Sequence, residues 1–178
     1  MQKRPEISEY APYYSTYVNL VPDGDILHIL NQQIKETIIL LKDTSDAQGQ
    51  FRYAPDKWSL KEVIGHIADT ERIMGYRLLC IARGETVSLP GYDDKMYVLR
   101  ASFDKQSMQD LLENLAVVRQ STLHLLKSLD LEAWLRRGTA NNSEVTVRAL
   151  VSIIAGHELH HRQIIKERYI SSDVYSSS

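Results

Sequence analysis

Residues 146–165 read T-V-R-A-L-V-S-I-I-A-G-H-E-L-H-H-R-Q-I-I, and this stretch decides the fold. Thr146 offers an N-cap hydroxyl, and Val147, Leu150, Ile154 and Ile164/Ile165 recur at helical spacing. That period describes a helix with one apolar face. His157 and His161 fall on the same line, at positions the pattern assigns to the core. Four residues apart, they stack on one face of a helix with ~3.6 residues per turn. The spacing predicts a long core helix carrying a pair of inward imidazoles.

Three further segments share this pattern. Leu27, Leu30, Ile34, Ile38 and Leu41 follow the turn Pro22-Asp23-Gly24-Asp25 and predict a helix over 24–43. Ser59 with Glu62 three residues on is a capping box, with Trp58 as a staple against Val63. Val63, Ile67, Thr70, Met74, Leu78 and Ile81 extend that second helix to Arg83-Gly84, where glycine suits the C′ position. Leu111, Leu115, Val118, Thr122, Leu125 and Leu129 mark a third, over 105–128, with Arg119 bordering its stripe. A short helix is expected over 94–101, and one or two helical turns in DLEAWLRRG, ending at Gly138. TSDAQGQFRYAPDK, ETVSLPGYD and TANNSEV read as loops, and no segment reads as a strand. The expected fold is all-α: a four-helix bundle with long loops and a metal site inside the bundle. Its parts are an N-terminal arm over 1–20, the bundle over 21–170 and a disordered tail over 171–178. The arm holds Tyr10, Tyr13, Tyr14 and Tyr17, read as rings laid over a core with wet hydroxyls.

Composition narrows the function classes. A net charge of −2 gives no basic nucleic-acid footprint. No run approaches ~18 apolar residues, so no membrane span is expected, and the N-terminus lacks the apolar core of a signal peptide. The single cysteine, Cys80, excludes an internal disulfide and the thiolate clusters of structural zinc sites. A cytoplasmic protein is the expected reading.

The histidines carry the chemistry. Neutral imidazole ligates zinc, nickel, copper and iron, but two histidines make only half a tetrahedral site. His66 is the third candidate, because it lies beside Val63, Ile67 and Thr70 on the inward side of another long helix. Three histidines would leave open positions for a water or thiolate, the arrangement of a catalytic metal. The alternative is a set of core histidines that bond backbone carbonyls. His160 could substitute for His161, although it points further from the stripe. The run also matches H-E-x-x-H, a metallopeptidase signature with Glu158 as general base. Against that, only 17 residues follow His161 and there is no strand for substrate, so Glu158 reads as a helix-surface residue. Cys80 lies fourteen residues from His66, ~20 Å along a helix, and reads as a packed thiol. Asp69, Glu71, Arg72, Arg77 and Arg119 read as salt bridges between helices, with Asp69 also able to orient a ligand or a water.

With these residues assembled, the chain resembles the DinB-like superfamily from about Tyr10 to Tyr169. The likeness is carried by KWSLKEVIGHIADTER (57–72), YRLLCIARGE (76–85), LPGYD (89–93) and RRGTANNSEVTVRALVSIIAGHELHHRQIIKERY (136–169). The resemblance implies a four-helix bundle holding a divalent metal, nickel or zinc, on His66, His157 and His161. It implies that the family motif requires only the two histidines of H-E-x-x-H. It also implies a metal-dependent enzyme that activates a low-molecular-weight thiol or water against a small electrophilic substrate. The family includes thiol S-transferases, a thiol-dependent isomerase and proteins described as metal-dependent hydrolases, and homodimers are frequent in it. A non-catalytic metal-binding or stress-response module is the alternative. Nucleic acid and membrane are not expected partners, and the sequence names no catalytic residue.

Overall fold

The computed structural model describes residues 3–172. Nine regular elements follow in order: α1 (Ser15–Val18), α2 (Ile26–Leu41), α3 (Asp46–Gly49), α4 (Leu60–Ala82), α5 (Asp94–Ala101), α6 (Met108–Lys127), β1 (Arg137–Ala140), β2 (Ser143–Thr146) and α7 (Val147–Ile164). A π-helical turn, Ile165–Ile170, extends α7. Apart from Ser171 and Ser172, the expected tail lies outside the described residues.

Each long helix starts where a short polar side chain replaces a missing backbone acceptor. Asp25 accepts from the amides of Leu27 and His28. Ser59 and Glu62 form the reciprocal capping box, Ser107 caps through Asp110, and Thr146 caps through Ala149. Gly84, at φ 85°, takes the left-handed turn that ends α4.

The four long helices form the bundle. α4 and α2 each pack on both α6 and α7, so the order around the bundle is α2, α6, α4, α7. The first two long helices, α2 and α4, therefore face each other across the core. The one-turn helix α1 packs on α7. No described helix is long and apolar enough to cross a membrane.

The core is two apolar halves with a polar layer between them. One half contains Leu30, Met74, Leu78, Leu123, Leu126 and Leu150. The other contains Ile34, Leu60, Ile64, Leu111, Leu115 and Ile165. Between them Arg119, fully buried, donates to Glu71 through Nε and Nη2 at 2.8 Å each, and to the Leu30 carbonyl at 2.9 Å. Its Nη2 also lies 2.7 Å from Glu158 Oε2, and Thr37 donates to Glu158 Oε1 at 2.6 Å. Burial works against the guanidinium charge, but Glu71 and Glu158 hold its pKa above the usual value. One arginine thus ties all four long helices at a single level. Glu158 is not a helix-surface residue, and Arg119 sits at the centre of the core rather than beside a stripe. A buried ion pair of this kind holds because each charge finds its partner with the water excluded.

The structure also departs from the expected loops. Arg137–Ala140 and Ser143–Thr146 pair antiparallel as a hairpin. Asn141 and Asn142 both have positive φ, 52° and 59°, so the two-residue connection is a left-handed turn of the kind hairpins favour. Residue 89 joins this hairpin: Leu89 donates to the Thr139 carbonyl at 2.8 Å and accepts from Asn141 at 3.0 Å. The loop over 44–57 contains α3, capped by Ser45.

Candidate metal centre

α4 and α7 carry the three histidines to one place. His157 Nε2 lies 3.0 Å from His66 Nε2 and 3.1 Å from His161 Nε2. All three ligand atoms fall within 4.8 Å of one another. His66 and His157 are buried, at 5% and 6% exposure. The rings are held from outside. The edge of Tyr17, from α1, meets His157 with ring centres 5.4 Å apart. Trp58 lies tilted over His66 at 4.6 Å, so it covers a ligand candidate as well as the start of α4.

Electrostatics favour neutral rings. Burial pushes the His66 imidazole down to about 4, against the pull of Asp94. Burial, then the neighbouring imidazoles, pushes His161 down to about 3 and holds His157 well below its usual value. Neutral imidazole is the form that ligates a metal. Hydrogen bonds among the rings do not account for the cluster. A ring nitrogen carries one proton or one lone pair, yet His157 Nε2 has two nitrogen neighbours at bonding distance. A cation between them would accept all three lone pairs, so the residues present fit a metal.

The histidines line a cavity of about 350 Å³. Tyr13, Tyr14 and Tyr17 of the arm form one wall, and Trp58, Thr70, Arg77 and Tyr92 form another, with Asp94 and Asn141 also lining it. Tyr92 comes from the ETVSLPGYD loop, and its hydroxyl lies 2.9 Å from Thr70 Oγ1. The arm is seated by Gly156. A Cβ on that residue would lie 2.1 Å from the Tyr17 carbonyl oxygen, so only glycine lets the backbones meet.

The other candidates lie elsewhere. His160 is half-buried against Tyr17 and outside the cluster. His28 and His124 are exposed, and Cys80 is a half-buried free thiol. Asp69 pairs with Arg72 at 3.2 Å on its own helix and does not line the cavity. The acidic residue on the cavity wall is Asp94. Glu158 points into the polar layer, so it is not available as a general base beside His157.

The fold and site define a helical bundle with a buried triad of histidines that could hold a metal ion. Residues 29–165 match the model of the DinB superfamily, and the chain belongs to that superfamily. Solved structures that share its fold include two from Bacillus subtilis. YfiT, described as a probable metal-dependent hydrolase with an unusual four-helix bundle topology, is 18% identical, with a TM-score of 0.70 over 93% of this chain and 91% of that one. The DinB-like protein YjoA is 21% identical, with a TM-score of 0.59 over 80% of this chain and 87% of its own. No curated protein matches the chain in sequence.

Proposed function

We propose that His66, His157 and His161 hold a divalent metal, nickel or zinc, and that the protein is a metal-dependent enzyme. Its substrate is a small electrophile, attacked by a low-molecular-weight thiol or by water. The observation that carries this reading is the meeting of three neutral imidazole nitrogens, within 4.8 Å, on the wall of a 350 Å³ cavity. The description of YfiT as a probable metal-dependent hydrolase supports it. When bound, the metal would lower the pKa of a thiol or water and polarise the electrophile. The chain does the rest. Tyr17 and Trp58 fix the ring planes of His157 and His66 and shield them from bulk water. Thr70 and Tyr92 present hydroxyls to the cavity.

Among the described residues no fourth His, Cys, Asp or Glu joins the cluster. That favours an enzyme over a non-catalytic metal store, because coordination positions would remain free on the cavity side. The test is elemental analysis of His66→Ala, purified without a histidine tag. Loss of stoichiometric metal is expected, and full retention would remove His66 as a ligand. Conjugation of thiols to an electrophilic model substrate then separates the branches: no dependence on any thiol defeats the transferase.

A further inference from the structure

Three cationic side chains are buried among the described residues: Lys61, Arg77 and Arg119. Lys61 lies 2.9 Å from Asp46, and Arg119 has Glu71 and Glu158. Arg77 is 3% exposed and pairs with no described carboxylate. It donates to the Pro90 carbonyl at 2.7 Å and to the Met74 sulfur at 3.6 Å, and its guanidinium stands 5.8 Å from the centre of the Tyr92 ring. A guanidinium has five N–H groups in a planar fork, so most of its donors are left over. An unpaired buried charge is costly, and a chain that buries one in a cavity wall leaves it short of an anion.

Arg77 lines the same cavity as the three histidines. We propose that Arg77 is the docking point for a carboxylate on the substrate or on its thiol partner, whose reacting end meets the three histidines. This rests on the metal-enzyme reading for the reacting end, but not for the anion. A monoanion fits better than a phosphate dianion. One guanidinium supplies one positive charge, and Asp94 already places a carboxylate on the cavity wall. The planar fork matches a carboxylate with two parallel N–H···O bonds. Tyr14 and Tyr92 line the same cavity, and the Arg77 guanidinium stands over the Tyr92 ring. The cavity thus has a reacting end at the histidines and an anchoring end at Arg77.

Matched pairs differing only in charge test this on the full chain with its metal as purified. Trp58, in the cavity wall, reports binding by fluorescence. The probes are 3-mercaptopropionate against 3-mercaptopropionamide, and succinate against succinamide. The wild-type protein should bind each acid at least ~10-fold more tightly than its amide, a difference of ~1.4 kcal/mol. Arg77→Met should lose that preference, keep its metal stoichiometry, and melt no lower than wild type, because the change removes an unpaired buried charge. Arg77→Lys keeps the charge without the fork, so an intermediate preference is expected. Equal binding of acid and amide by the wild type overturns the proposal. So does a preference that survives undiminished in either variant, since the metal itself would then be the anion's partner. Metal content, measured separately, reports on the three-histidine reading, so failure of that reading and failure of this one are distinguishable.

Discussion

Gly156→Ala is the sharpest perturbation the structure offers. It adds one methyl group at the contact between α7 and the arm. The new Cβ would sit 2.1 Å from the Tyr17 carbonyl oxygen and 2.4 Å from its carbon, where ordinary contact begins near 3.4 Å. The gap must therefore widen by more than an ångström, and the obstacle is backbone, which has no rotamer to escape through. α7 is pinned by Glu158 to Arg119, so the arm is the part that yields. Overpacking of this kind costs about 1–3 kcal/mol, whereas alanine gains ~1 kcal/mol over glycine in a helix interior. The clash wins by up to about 2 kcal/mol, which for a chain of this size lowers Tm by up to ~8 °C. Tyr17 then leaves the edge of His157, opening one wall of the cavity. Scanning calorimetry checks the Tm, and limited proteolysis checks the arm, whose cleavage near residues 10–21 should accelerate. Metal stoichiometry should hold, because no ligand candidate rides on the arm. An unchanged or higher Tm with an equally protected arm would refute the reasoning: helix propensity would have won, and the Tyr17 carbonyl could not lie where it is described.

Arg119→Met leaves Glu71 and Glu158 buried without their cation, and should cost about 3–5 kcal/mol in denaturant unfolding; a midpoint near wild type would refute a dry polar layer that needs its cation. Glu9 gives the pH prediction: burial raises its pKa, but the bonds from Arg148, the Glu6 amide and Thr146 outweigh that and hold it down to about 2 from a usual 4.5. A depressed carboxylate stabilises the fold above its unfolded pKa and loses that stabilisation as pH falls, so the advantage of wild type over Glu9→Gln should shrink by up to about 3 kcal/mol between pH 5 and pH 2. Urea midpoints across that range check it, and a gap independent of pH would count against the Arg148 pair.

The helices were legible because their signals are local. Capping residues and apolar spacing placed α2, α4, α6 and α7 within a few residues of their observed ends. The three histidines were legible for the same reason: polar residues that keep a core period stand out against it. The hairpin was not. Its strands are four residues each, and its turn is Asn141-Asn142 rather than a glycine-containing pair, so little distinguished it from a polar loop. The arm's role was half legible. Four tyrosines marked it as packed, but the seat for Tyr17 is a missing side chain, Gly156, which leaves no apolar signature. Arg77 shows a third kind of loss. A charged residue on a helix looks like half of a salt bridge until the fold leaves it without a described carboxylate beside it.

Glu158 shows why a motif needs its face as well as its spacing. In H-E-x-x-H the glutamate lies ~100° around the helix from the first histidine, so the helix must be rotated to offer both to one site. Here the rotation serves something else. Glu158 continues the line of Val151, Ile154 and Ile165, all buried, and meets Arg119 on that line. Arg119 likewise follows Leu115, and Glu71 follows Ile67, each four residues on. Three charges that extend apolar lines are the trace of the polar layer, and they could have been recognised by the same rule that singled out the histidines. The two sets are coupled by geometry. Because Glu158 must face α2 and α6 to reach Thr37 and Arg119, its neighbour His157 is turned toward α4, where His66 stands. The buried ion pair thus sets the rotation of α7 that brings the histidines together. The glutamate of the motif belongs to the scaffold of the site and not to its chemistry.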